Sequence, residues 1–147
     1  MFKPIRRVGV IGAGVMGSGI AAQIANAGVP VLLLDIVPAG ASNRNVVAEK
    51  AIERLLKTDP APFMHRDFAR LVTSGNLEDD IGKLAECDWI VEVVLEKLEV
   101  KHATFAKIEQ HRKEGSIVSS NTSTIPLRDL VQGTPERFQR DFLITNS

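Results

Sequence analysis

Three glycines near the start of the chain, in Gly12-Ala13-Gly14-Val15-Met16-Gly17, have the spacing G-x-G-x-x-G. Each glycine answers a different demand. The first allows a tight turn, the second lets a phosphate approach the main chain, and the third lets a helix pack close to a strand. A helix opening here points its first-turn N–H groups and partial positive charge at an anion. Val15 and Met16 complete the loop as cofactor-side positions, and Met16 also reads as a packing residue. Glycine-rich turns without a ligand share this pattern, so its context decides.

Asp35 supplies the second half of a dinucleotide fingerprint. It ends an apolar run and stands eighteen residues after Gly17. A carboxylate there accepts hydrogen bonds from ribose hydroxyls, whereas a 2′-phosphate would need an arginine. Ile36 and Val37 follow, with no arginine beside them. The residues therefore favour NAD over NADP. The glycine pattern by itself also fits FAD, and Asp35 alone also fits a solvated loop residue.

These residues need strands and helices to place them. Arg6 to Ile11 and Val29 to Asp35 read as buried strands, joined by a helix through Ile20, Ala21, Ile24 and Ala25 that stops at Gly28. A helical crossover makes the two strands parallel. Asn43 to Lys57 is predicted helical, is broken at Asp59-Pro60-Ala61-Pro62, and is followed by a helix over Arg66 to Val72. Together they predict a helical hairpin inserted between the second and third main strands. Leu77 falls in an ambiguous stretch, and Ile81 to Cys87 is a short helix. Trp89 to Val94, Ser116 to Ser120 and Phe142 to Thr145 read as strands. Leu98 to Arg112 and Pro126 to Val131 read as helices. The alternation predicts an α/β fold, a doubly wound, mostly parallel Rossmann sheet.

Bulk properties narrow the partners. Eighteen basic and eighteen acidic residues cancel, which gives no reason to expect nucleic acid or an anionic membrane. No apolar run approaches the length of a membrane span. The N-terminus lacks a signal-peptide pattern, and the single cysteine, Cys87, reads as a buried thiol in a reducing compartment. A cytoplasmic location is expected. His65, His102, His111 and Cys87 show no metal-ligand spacing, so no metal is expected. The length suits one domain, and the stop directly after an apolar strand predicts a piece of a longer protein.

Two later segments follow predicted strands and so lie at the carboxyl edge of the sheet, where ligands bind. One runs from Val91 through Glu96 to Lys101, an E-x-x-x-V-K-like stretch, and the other is Ser120-Asn121-Thr122-Ser123. Combined with Gly-Ala-Gly-Val-Met-Gly-Ser-Gly-Ile-Ala, they resemble the NAD-binding domain of the 3-hydroxyacyl-CoA dehydrogenase family over nearly the whole chain. The resemblance implies NAD as cofactor and an acyl-CoA as substrate. It places Glu96 and Lys101 beside the nicotinamide half, Ser123 near the nicotinamide and the substrate oxygen, and Asn121 in the shaping of that loop. The inserted hairpin resembles the one such enzymes use near the CoA moiety. A mostly helical second domain, absent from this chain, would close the cleft and form a homodimer. Without the resemblance, Glu96 and Lys101 read as solvated residues opening a helix, and Ser123 as a helix cap.

The chain departs from the family at one catalytic position. The family's general base is a histidine in a His-Phe-Phe-Asn-Pro-like motif, oriented by a later glutamate. The matching position here is Asn146, which cannot take a proton in that way but can polarise an oxygen by hydrogen bonding. Three functions therefore follow as expectations. The first is hydride transfer between NAD and the 3-hydroxy or 3-oxo group of an acyl-CoA, in a parent that in some relatives carries a hydratase module. The second is a dehydrogenase of another hydroxy acid. The third is a non-catalytic NAD-binding module.

Overall fold

The computed structural model describes residues 4–57, 66–122 and 124–145. Six strands form one sheet: β1 (Val8–Ile11), β2 (Val31–Asp35), β3 (Val72–Asn76), β4 (Trp89–Glu92), β5 (Ile117–Asn121) and β6 (Phe142–Thr145). The helices are α1 (Val15–Asn26), α2 (Val46–Lys57), α3 (Leu98–His111), α4 (Leu127–Val131) and α5 (Glu136–Asp141). Two 3-10 helices, Arg66–Leu71 and Ile81–Glu86, flank β3.

The strand order is β3-β2-β1-β4-β5-β6, and every pairing is parallel. Successive strands thus wind outward in both directions from β1, and the order reverses between β1 and β4. Side chains alternate between two cores, as a pleated sheet covered on both faces requires. Val8, Val10, Leu33 and Val91 pack against α1 and α2, around Ala21, Ala25 and Ala51. Ile11, Leu32, Leu34 and Ile90 pack on the other face, around Phe105, Ile108 and Phe138.

The helix ends follow local chemistry. Gly28 has φ 83°, and its N–H donates to Ala25 O at 2.9 Å, so the left-handed turn closes α1 and turns the chain into β2. Pro126 and Pro135 stand at the N-caps of α4 and α5. Proline has no N–H to lose there, and its fixed φ suits the entry to a helix.

The region after α2 corrects the sequence expectation. Val72 begins a strand, and the second helical arm is only the 3-10 helix Arg66–Leu71. The Asp59-Pro60-Ala61-Pro62 break lies outside the described residues, as does His65. The strand Val72-Thr73-Ser74-Gly75-Asn76 carries no apolar run; it forms one edge of the sheet and pairs only with β2. The short α5 lacked an apolar periodicity and was not anticipated. Its one buried side chain, Phe138, meets Phe105 with ring centroids 5.3 Å apart.

Candidate functional site

The glycine loop joins β1 to α1 with the geometry its spacing implied. Gly12 has φ 114°, and a Cβ on it would lie 2.5 Å from Val93 O. A Cβ on Gly17 would lie 1.8 Å from Gly12 O, so the helix could not seat against the loop. Gly14 is different, because a Cβ there would meet nothing within 4 Å. The protein itself does not require glycine at that position. The space over Gly14 is open and forms a backbone cradle. Gly14 caps α1 in an extended conformation without a side-chain hydrogen bond, and the first turn contains no acidic residue. An anion therefore meets helix-end N–H groups with no competing carboxylate in that turn. Val15 and Met16 lie exposed on the same turn.

Asp35, at the end of β2, stands against this loop. Its Oδ2 accepts the Ala13 N–H at 2.6 Å, and its Oδ1 accepts the Ile36 N–H at 2.6 Å. Both bonds hold a half-buried carboxylate at the rim of the cradle. From the α2 side, Arg54 reaches Ala13 O at 3.5 Å and ties the helix to the loop. A groove of about 610 Å³ runs from Gly12, Gly14 and Asp35 to the β4–α3 loop and the exposed face of α3. Its walls include Val93, Val94 and Val100. Apolar walls with a carboxylate and a backbone cradle suit an adenosine-like ligand bearing phosphate.

A second group lies across the crevice, at the ends of β4 and β5. Lys101, in the first turn of α3, is fully enclosed. Its ammonium donates to Glu92 Oε1 at 3.0 Å and to Oε2 at 2.8 Å, and lies 3.4 Å from Glu96 Oε1. Glu92 also accepts the Val94 N–H at 2.6 Å and the Ser120 hydroxyl at 2.5 Å. Thr122 donates its hydroxyl to Glu96 Oε1 at 2.7 Å. The structure thus brings Glu96 and Lys101 together and sets Asn121 at the end of β5 between Ser120 and Thr122. Ser123 and Asn146 lie outside the described residues.

No role of their own was read from the sequence for Glu92, Ser120 and Thr122, although Ser120 and Thr122 belong to the Ser120-Asn121-Thr122-Ser123 motif. Glu92 sits within the apolar stretch from Trp89 to Val94 and was absorbed into the strand. The available signal was a charged residue at a buried strand position, with a lysine nine residues on. The serines of β5 had a related explanation. Ser119 accepts the Trp89 indole N–H at 2.8 Å, and Ser120 binds Glu92, so both are buried with partners.

The other candidate groups are accounted for elsewhere. His102 Nε2 lies 2.7 Å from Asp129 O and joins α3 to α4. Burial pushes the Cys87 thiol up to about 11, which leaves it protonated and a poor nucleophile. Among the described residues, no three His, Cys, Asp or Glu side chains are grouped to hold a metal, and no helix is long and apolar enough to cross a membrane.

Comparison with known proteins agrees with this geometry. The family described as "3-hydroxyacyl-CoA dehydrogenase, NAD binding domain" matches residues 7–145. A probable 3-hydroxyacyl-CoA dehydrogenase of Deinococcus radiodurans is 52% identical over 139 residues, which are 95% of this chain and 40% of that protein. A probable 3-hydroxyacyl-CoA dehydrogenase of Bacillus subtilis is 48% identical, over 99% of this chain and 20% of that protein. Among solved structures, M. tuberculosis FadB2 superposes with a TM-score of 0.74 at 31% identity, covering 97% of this chain and 49% of its own. The chain therefore spans between a fifth and a half of these relatives. It belongs to the family of 3-hydroxyacyl-CoA dehydrogenase NAD-binding domains.

Proposed function

We propose that this chain is the cofactor-holding half of an NAD-dependent 3-hydroxyacyl-CoA dehydrogenase of fatty-acid oxidation. The observation that carries the cofactor reading is the cradle over Gly14 with the Asp35 carboxylate fixed at its rim. The loop of Gly12, Gly14, Val15, Met16 and Gly17 holds the pyrophosphate against the end of α1. Asp35 accepts the ribose hydroxyls and excludes a 2′-phosphate, so NAD is preferred to NADP. Glu96, Asn121 and Ser123 border the nicotinamide half, and the enclosed Lys101 stands behind Glu96, holding it in place. NAD, when bound, supplies the hydride acceptor for the substrate's 3-carbon.

The acyl-CoA reading is supported by the relatives' names, which include "3-hydroxybutyryl-CoA dehydrogenase" and "Putative fatty acid oxidation complex trifunctional enzyme". Ser123 would hydrogen-bond the oxygen that changes between alcohol and ketone. Asn146 would orient that oxygen where the family's histidine acts as base. The substrate's remaining contacts belong to a helical second domain, through which the parent dimerises and which shields the reacting carbon from water. The cytoplasm is the proposed location.

Asn146 also favours a second reading, a non-catalytic NAD-binding module. The test is NADH oxidation by the full-length parent with acetoacetyl-CoA, against free acetoacetate. Oxidation that depends on the CoA ester is expected. Tight NADH binding without oxidation of NADH by either compound would overturn the enzyme reading in favour of the second.

A further inference from the structure

The Glu92 carboxylate is fully enclosed and touches three separate parts of the crevice. Its Oε2 holds the Val94 N–H in the loop after β4. Its Oε1 holds Ser120, one residue before Asn121. Both oxygens hold Lys101 at the start of α3. Lys101 then passes the arrangement outward to Glu96, the more exposed member, with 36% of its side chain accessible. Glu96 in turn fixes Thr122. An enclosed ion pair is a weak source of stability, since its desolvation offsets much of its attraction. Its distinctive product here is geometry, because one carboxylate sets a loop, a strand end and a helix start relative to one another.

We infer that Glu92 is a positioning residue for the nicotinamide end of the cofactor site, acting through Lys101 and Ser120. The inference rests on the NAD reading above. It assigns the halves of the crevice to different machinery. The adenosine and pyrophosphate end depends on the glycine loop and Asp35, at the ends of β1 and β2. The nicotinamide end depends on the buried cluster at the ends of β4 and β5. Glu92 makes no contact with cofactor; it fixes where Glu96 and the Asn121–Thr122 backbone stand.

The test is a comparison of two ligands on this chain. NADH carries the nicotinamide, and ADP-ribose lacks it. Glu92→Gln removes the charge and keeps the size. Ser120→Ala removes one arm of the cluster and leaves the ion pair, so it decides the question if Glu92→Gln does not fold. Each variant should weaken NADH about ten-fold, as expected when a charge-assisted hydrogen bond no longer holds a contact in place. ADP-ribose affinity should stay within about two-fold of the wild type, because its contacts lie elsewhere. Equal weakening of both ligands, or no change in either, would overturn the assignment. Wild-type chain that binds ADP-ribose as tightly as NADH would also overturn it. Wild-type chain that binds neither would instead remove the NAD reading on which it rests.

Discussion

Gly14 and Gly17 lie on the same turn and carry opposite demands. A methyl group at Gly17 collides with the backbone of Gly12, whereas one at Gly14 meets open space. Gly17→Ala should therefore cost stability, on the order of 2 kcal/mol for an overpacked contact. Thermal unfolding should register this as a fall of roughly 5 °C or more. Gly14→Ala should melt within about 1 °C of the wild type, since surface changes are usually nearly neutral. It should nevertheless bind NADH more weakly, because the methyl enters the ligand's cradle. Asp35→Ala should weaken NADH about ten-fold or more, from the loss of charge-assisted hydrogen bonds contributing about 1.5–3 kcal/mol. Titration calorimetry on the three variants checks these expectations. The turn at the glycines and the place of Asp35 beside it were legible in the sequence because they depend on backbone freedom and on a fixed spacing along one strand–helix–strand unit. Glu92 was not legible, because its partners Lys101 and Ser120 come from a helix and a strand that only the fold brings beside it.

Element by element, the buried strands and the helices with an apolar face were readable, since burial on both sheet faces produces continuous apolar runs. Strand β3 was not, because its Thr73 is exposed and Ser74, Gly75 and Asn76 follow with no apolar side chain among them. Its last residue, Asn76, is instead held by polar contacts, accepting the Glu78 and Asp79 N–H groups on its side-chain oxygen. Residues that cap and turn do not show strand periodicity. Between β4 and α3 the critical joint is the enclosed pair of Glu92 and Lys101. Lys101→Met should leave the Glu92 charge buried without its cation and destabilise the chain by about 3–5 kcal/mol. The double variant Glu92→Leu with Lys101→Met should recover much of that loss, since apolar side chains suit an enclosed place. Denaturant unfolding of the single and double variants measures the difference. A double variant no more stable than Lys101→Met alone would mean that the wider polar cluster, and not the pair, holds the joint.

The whole molecule is a parallel sheet whose strand order reverses between β1 and β4, and this puts the crevice at the carboxyl ends of those strands. Both halves of the candidate site converge there from opposite sides. Burial raises the Cys87 thiol from 9.0 to about 11, so the folded state favours the protonated thiol. That preference is fully present below the unfolded value and is lost as pH rises from about 9 through 11. Cys87 should therefore react slowly with a disulfide reagent at pH 8 in the native chain, and rapidly once guanidinium unfolds it. Fast native labelling would place the thiol at the surface. Titration calorimetry of this chain with NADH and NADPH probes the crevice itself. One saturable NADH site is expected, with NADPH at least about ten-fold weaker because the Asp35 carboxylate repels the 2′-phosphate. Failure of NADH to bind, or equal affinity for the two, would contradict this expectation.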